Sequence, residues 1–322
     1  MVSTAPKEYS TESVITMNVT YLNNGTIKND TVAAIGFFDG VHKAHQVLIE
    51  TTINKARARG LKTALITFDK HPKHVLFDID YYYITPLSRK LELFKAYDID
   101  DVYVIDFDKT KASLDPRVFI DTYLSNLRML VCGFDFTFGH QARGGVSLLK
   151  TYAPFETVVV GEQTLSGFKI GSSHIRDLIR GGHVDEIPEL MGDYYRIKGE
   201  VIEGAKKGRT INYPTANIDC GEYMIPKRGV YATMTRADGV WYRSVSSVGF
   251  NPTLSGHDYI SVESYLFDFN ASIYGKEIEI VFIQRLRNEV KFESKEALIT
   301  QIDQDARDAL EVLSRSGERY DG

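Results

Sequence analysis

Two histidines three residues apart, His42 and His45, close the run Gly36-Phe37-Phe38-Asp39-Gly40-Val41-His42-Lys43-Ala44-His45. If a helix begins near Val41, both imidazoles share its first turn, where unpaired backbone N–H groups and the helix dipole favour an anion. Ring N–H donors there suit a phosphate whose negative charge grows during transfer. The spacing also fits two surface histidines at a helix start, and a metal site lacks a third ligand nearby. Farther on, Ser172-Ser173-His174-Ile175-Arg176 sets two hydroxyls before a cation at another expected helix start. Either serine can be an N-cap; alternatively, the hydroxyls and the Arg176 fork hold triphosphate oxygens. Gly133-Phe134-Asp135-Phe136-Thr137-Phe138-Gly139 directly follows an expected strand, as a core segment or as a ligand loop.

In the second half, Gly204-Ala205-Lys206-Lys207-Gly208-Arg209-Thr210 is a basic glycine loop, followed by Pro214-Thr215-Ala216-Asn217. The loop lacks the lysine-plus-hydroxyl register of a Walker A motif and by itself reads as a hairpin turn. Glu263 lies inside the apolar run Val262-Glu263-Ser264-Tyr265-Leu266. On strict alternation it shares a face with Tyr265 and opposes Val262, which gives a solvent-facing carboxylate or, in a barrel mouth, a general base.

The elements that must hold these residues follow from periodicity. A short apolar start around Val14 to Val19 leads to a strand over 31–35, the glycine loop, and a helix running to Gly60. Strands at 62–68, 101–107, 129–133 and 158–160 alternate with helices at 86–97 and 116–127. Such short, nearly continuous apolar strands imply a parallel sheet covered on both faces, which binds ligands beyond its carboxyl edge. After residue 175 two short helices (175–180, 184–191) precede strands at 195–202, 230–236, 241–248, 260–267 and 277–283, a small barrel or sandwich. A last helix over 294–313 carries Ala297, Leu298, Ile302, Ala306 and Leu310 on one stripe. The fold class is thus α/β followed by β.

Composition sets the outer bounds. At about 150 residues per domain, 322 residues suit two cores. With 43% hydrophobic and 25% charged residues, a disordered or fibrous chain is excluded. A net charge of −5 argues against a dedicated nucleic-acid binder. No run approaches the roughly 18 apolar residues of a membrane span, and residues 1–10 lack a signal-peptide core, so the expectation is a cytoplasmic protein with no membrane partner. Cys132 and Cys220, without CxxC or His/Cys clustering, read as buried thiols in different domains.

Taken in order, these segments resemble the bifunctional bacterial riboflavin kinase/FAD synthetase family over about residues 31–312. The first fingerprint is the run from Gly36 to His45; Thr67-Phe68 with His71-Pro72, Gly133 to Gly139, and Ser172 to Arg176 match the others. The kinase fingerprints match Gly208-Arg209-Thr210, Pro214-Thr215-Ala216-Asn217, Gly249 with Pro252-Thr253, and Glu263 with Asp268-Phe269-Asn270. The resemblance implies a Rossmann-like nucleotidylyltransferase domain over 1–190 and a riboflavin-kinase β-barrel with a C-terminal helix over 191–322. The first would join FMN to the AMP part of ATP with release of pyrophosphate, and the second would phosphorylate riboflavin. It assigns His42, His45, Ser172, Ser173 and Arg176 to the transfer, with Asp39 and Asp135 as further ligand contacts. Glu263 is the implied kinase base, Thr215 and Asn217 the Mg²⁺ and nucleotide contacts, and Gly204, Gly208 and Arg209 the loop around the phosphates. Partners would be ATP, riboflavin, FMN and FAD, without nucleic acid; the oligomeric state has no signature in the sequence. Against the family pattern, Ala44 replaces a glycine, Glu203-Gly204-Ala205 a histidine-glycine-aspartate, Asn212 a glycine, and an asparagine is changed near Ser247. Two other readings stand beside this one: an adenylyltransferase whose kinase domain is weak or inactive, and a flavin-binding regulator without turnover.

Overall fold

The computed structural model describes residues 17–22, 27–203, 213–252 and 258–316; Gly204, Gly208, Arg209 and Thr253 lie outside the described residues. The chain forms two compact units. The first comprises Met1–Phe37, Val47–Ile79 and Leu91–Gly161, and the second Phe38–Gln46, Asp80–Lys90 and Glu162–Gly322.

The first unit is built on a parallel sheet of β1 (Asn18–Leu22), β2 (Thr31–Ile35), β3 (Lys62–Phe68), β4 (Asp101–Ile105), β5 (Met129–Gly133) and, after a two-residue ladder of β6 (Thr137–Phe138) with β7 (Gly144–Gly145), β8 (Glu156–Val160). The order is β1-β4-β3-β2-β5-β8, with every pairing parallel. Around it run α1 (Lys43–Arg57), α2 (Pro72–Phe77), α3 (Leu87–Phe94), α4 (Lys109–Ala112), α5 (Pro116–Phe119) and α6 (Val146–Tyr152). One sheet face, carrying Ala33, Ile35, Ile66, Tyr103, Leu130 and Cys132, packs on Phe119, Tyr123, Leu124 and Leu149. Val32, Ala34, Leu65, Val102, Val104 and Val131 on the other face are equally buried. Burial of both faces is what the unbroken apolar strands demand. The expected helix over 116–127 is instead one α-turn followed by a π-turn at Ile120–Leu124. Helices α2, α4 and α6 have seven residues or fewer, too short to show a period in the sequence.

The long final stretch of the second unit opens with the hairpin β9 (Thr164–Leu165) and β10 (Phe168–Lys169), then α7 (Ser172–Gly181), which Gly182 closes in the left-handed conformation at φ 81°, and α8 (Ile187–Met191). A closed antiparallel barrel follows: β11 (Arg196–Ile202), β12 (Ala216–Ile218), β13 (Gly229–Ala237), β14 (Val240–Pro252), β15 (Asp258–Leu266) and β16 (Glu277–Arg287), ordered β11-β12-β15-β14-β13-β16. Closure through β11 and β16 decides for a barrel over a sandwich. Alternation divides its residues. Ile197, Tyr231, Val248, Val262, Ile280 and Phe282 join one core with Ile175 and Ile179 of α7, while Val230, Met234, Val245 and Ile283 meet the C-terminal helix α9 (Lys295–Ser316).

That helix corrects one expectation. The buried side chains are Asp305, Ala309 and Leu313, with Leu298 and Ile302 half-buried, whereas Ala297 is exposed and Leu310 is 37% exposed. The stripe is rotated because Asp305, a polar residue, occupies its centre, held bidentately by Arg287 at 2.7 and 2.6 Å. Cys132 and Cys220 are buried free thiols, one in each unit, and burial pushes them up to about 11 and about 12. Among the described residues no helix is long and apolar enough to cross a membrane.

Candidate functional site

Three segments of the second unit meet around Asp39. The loop entering α1 holds positive φ at Phe38 (57°), Gly40 (90°) and Val41 (39°). A β-branched residue in that region is strained and persists only where its surroundings fix it. Here Gly40 N donates to Thr85 Oγ1 at 2.7 Å, Thr85 N to Asp39 Oδ1 at 3.0 Å, and Gln46 Nε2 to Val41 O at 3.0 Å and Met191 O at 2.8 Å. The positive φ of Val41 is also why α1 starts at Lys43 and not near Val41.

Asp39 is 3% exposed, and its Oδ2 accepts from Arg176 Nη2 at 3.0 Å. The same Nη2 donates to Tyr82 O at 2.6 Å, and the guanidinium lies 4.2 Å from the centre of the Tyr81 ring. The Arg176 fork is therefore directed at Asp39, the Tyr82 carbonyl and the Tyr81 ring, with Nη1 against Met224 Sδ at 3.6 Å. Burial raises the Asp39 carboxyl above its ordinary range, although Arg176 and Lys90 pull it down. Desolvation likewise raises the Tyr81 phenol to about 12. Ser172 Oγ donates to Asp39 O at 2.8 Å; the N-cap of α7 is Gly171, so neither serine caps it, and Ser173 is exposed.

His42 and His45 stack at 3.6 Å between ring centres, 16° from parallel, with the Phe38 ring 5.2 Å from His45. His45 N donates to His42 Nδ1 at 3.4 Å, which assigns the His42 proton to Nε2. The His45 ring is pushed well below the usual histidine range by burial first, then by His42 and Lys90, and its Nδ1 is buried with no hydrogen-bond partner. It is a neutral imidazole at pH 7.

The second cluster lies on the barrel's outer wall. Glu263 opposes Val262 as alternation requires, but its face is roofed by α9 rather than open to solvent or to a barrel mouth. In the ladder Glu263 pairs with Asn217 on one side and Ser247 on the other. Thr215 Oγ1 donates to Glu263 Oε2 at 3.0 Å, and Asn217 Oδ1 is buried without a partner. A cavity of about 580 Å³ between wall and helix is lined by Glu263, Thr215, Val245, Arg287, Leu298 and Ile302. A second pocket, about 240 Å³, is lined by Thr215, Pro214, Phe269, Asn270 and Tyr274. Thr215 belongs to both. The β12–β15 ladder thus brings Thr215, Asn217 and Glu263 together; Asp135 is exposed on the loop after β5 in the first unit.

Sequence reasoning missed Thr85, Tyr81 and the fully buried Lys90. Lys90 left a signal: it stands on the apolar stripe Leu87, Leu91, Phe94 of α3, where a lysine needs a reason. Thr85 left none, because its partners Gly40 and Asp39 lie at least 45 residues away, and the neighbouring Tyr83 ring gives no sign that Tyr81 meets the distant Arg176.

The FAD synthetase family model matches residues 25–174, and the riboflavin kinase model residues 191–313. The bifunctional riboflavin kinase/FMN adenylyltransferase of Listeria monocytogenes is 42% identical over 291 residues, 88% of this chain and 93% of that protein. Its namesake in Bacillus subtilis is 37% identical over 297 residues, with the same coverage. A crystal structure from Streptococcus pneumoniae described as a macrolide-efflux protein superposes with a TM-score of 0.80 at 32% identity, over 90% of this chain and 97% of that one. With one family model on each half and relatives aligned along nearly their full length, the chain belongs to the bifunctional riboflavin kinase/FMN adenylyltransferase family.

Proposed function

We propose that this chain makes FAD from riboflavin in two ATP-dependent steps, with residues 191–322 carrying the kinase and residues 1–190 the adenylyltransferase. The observation that carries the reading is the pair of pockets meeting at Thr215 beside the Glu263 carboxylate. One pocket takes the flavin and the other the nucleotide, so hydroxyl and γ-phosphate meet at their shared wall.

A ribityl hydroxyl is a neutral nucleophile and gains from a base. Glu263 takes its proton as the oxygen attacks the γ-phosphorus, the bond to the β-phosphate oxygen breaks, and ADP leaves. Thr215 donates to Glu263, which leaves its oxygen lone pairs for a hard cation, and the orphaned Asn217 Oδ1 adds a second neutral oxygen. These oxygens fit Mg²⁺, which typically takes few protein ligands and completes its shell with substrate phosphates. Bound there, Mg²⁺ would offset charge on the transferring phosphoryl group. The basic loop with Gly204, Gly208 and Arg209 is assigned to the phosphates from its sequence.

In the adenylyl transfer the FMN phosphate is itself the nucleophile and is already ionised, so positioning and charge stabilisation suffice. His42 Nε2–H and neutral His45 serve as donors to the α-phosphate region, and the exposed Ser173 hydroxyl is assigned to the same phosphates from its sequence. Ser172 and Arg176 act on the loop through Asp39, and the Arg176 Nη1 edge, which meets only a thioether sulfur, is the part of the fork available to a phosphate oxygen. Asp135 is assigned as a flavin or nucleotide contact, and the site of action as the cytoplasm.

Two variants separate the sites. Glu263→Gln should lower FMN formation from riboflavin by about 10²-fold or more while FAD formation from FMN stays at the wild-type rate; His45→Ala should do the reverse. Equal losses in both reactions from either variant would contradict the division of labour.

A further inference from the structure

Five hydroxyls form a closed ring inside the barrel. Thr233 Oγ1 lies 2.8 Å from Ser244 Oγ, Ser244 Oγ 2.8 Å from Thr235 Oγ1, Thr235 Oγ1 3.0 Å from Ser264 Oγ, Ser264 Oγ 3.0 Å from Ser246 Oγ, and Ser246 Oγ 2.8 Å from Thr233 Oγ1. All five side chains are completely buried. Each hydroxyl has one proton and can both donate and accept, so a ring in which every proton points the same way satisfies all five without water. Ser246 donates to Ser264, and Ser244 Oγ donates to Thr233 O at 3.0 Å; both fit one sense of rotation, with the Ser244 proton shared between the Thr233 carbonyl and Oγ1. Hydrogen bonds arranged head to tail polarise one another, and a buried hydroxyl left out of the ring would carry its full desolvation cost.

The ring ties together the three strands β13, β14 and β15 on their inward face. Glu263 and Ser247 are the outward-facing neighbours of Ser264 and Ser246, and the Ser246–Ser264 and Ser247–Glu263 pairs are consecutive rungs of one ladder. On its other side Ser264 pairs with Ala216, between Thr215 and Asn217. An entirely apolar lining would hold Val262, a residue at 264, or Leu266 in the ring position with little preference. A slip of β15 by one residue would turn Glu263 into the core, and a slip by two would break the ring by inserting Val262 or Leu266. The hydroxyls thus penalise every register but one.

We propose that this ring is a positioning element of the kinase site: by fixing the register of β15 against β14, Thr233, Thr235, Ser244, Ser246 and Ser264 set where β15 presents the Glu263 carboxylate to Thr215. The proposal rests on the kinase reading above. It is tested in the full-length chain with Thr233→Val, which removes one hydroxyl at nearly constant volume, Ser264→Ala, and the hydroxyl-retaining Thr233→Ser. With riboflavin and Mg-ATP, well below the melting temperature, Thr233→Val and Ser264→Ala should lower kcat by about tenfold, since sub-ångström misplacement of a reacting group is costly. KM for ATP should change by less than about twofold, Thr233→Ser should keep wild-type kcat, and FAD formation from FMN should be unaffected in all three. A purely structural role would shift the melting temperature and leave kcat intact. Wild-type kcat in Thr233→Val, or an equal loss in Thr233→Ser, overturns the proposal. If the wild-type chain itself makes no FMN, the kinase reading fails, and amide hydrogen exchange then reads the ring. Glu263 and Ser247 amides should exchange at least about tenfold faster in Thr233→Val, and unchanged protection overturns the register role.

Discussion

His45 sits where an imidazolium would be costly: its Nδ1 is buried, a second imidazole stacks on it, and Lys90 is near enough to oppose a positive charge. Its folded-state pKa lies below the unfolded value of 6.5, so between the two the folded chain binds fewer protons than the unfolded one. Its contribution is complete above about pH 6.5 and is lost as the pH falls toward the folded value. Urea midpoints at pH 7.5 and 5.5 should therefore fall less in His45→Asn than in the wild type; an identical fall in both would show that His45 is not the group protonated. Residue type and spacing made the histidine pair legible and marked Glu263 as a carboxylate in an apolar run, whereas Thr215 and Asn217 were legible only through the family resemblance. The Asp39–Arg176 pair was not, because the partners are 137 residues apart and only the folded loop joins them. Arg176 was readable as a cation at a helix start, but its partner was hidden, so the sequence overstated how open its fork is.

At the scale of elements, strands β3 and β5 fall at their expected bounds because each is a single apolar run ended by its neighbours' turns. β12 escaped notice: three residues cannot show alternation. The face of α9 was misread at Ala297 and Leu310, while Leu298 and Ile302 lie on it as expected, since apolar periodicity is blind to an aspartate buried by ion pairing. Arg287 and Asp305 are 22% and 5% exposed at the side chain and join the end of β16 to α9 along the larger pocket. Asp305→Ala removes two charged hydrogen bonds and leaves the guanidinium half-buried without its partner. The expected loss is about 2 kcal/mol in denaturant unfolding, together with a raised KM for riboflavin or for ATP, because α9 forms one wall of one of the two proposed substrate pockets. A change in stability with both KM values unaltered would mean that the helix does not shape a substrate site.

For the whole molecule, 322 residues and two styles of periodicity were enough to read a parallel sheet followed by a barrel. Sequence order could not show that the stretches Phe38–Gln46 and Asp80–Lys90 cluster with the later part of the chain. Tyr83 N donates to Glu222 O at 2.7 Å and Met224 N to Tyr83 O at 2.8 Å, while Ile84, Ile175 and Ile179 share a core with Ile197, Tyr223 and Phe282. A protein ending at residue 190 would expose that core beneath the Asp39–Arg176 loop. It should melt at a lower temperature than the full chain and form FAD from FMN at least about tenfold more slowly; full activity would show that the loop needs no support from residues beyond 190.

The central claim is that one chain performs both steps. Its most direct test is to incubate the full-length protein with Mg-ATP and either riboflavin or FMN and to separate the flavins by chromatography over time. Riboflavin should give FMN and then FAD, and FMN should give FAD with pyrophosphate. FAD from FMN without any FMN from riboflavin would contradict the role given to Glu263 and the two pockets, and retention of unchanged flavin in both incubations would contradict catalysis altogether.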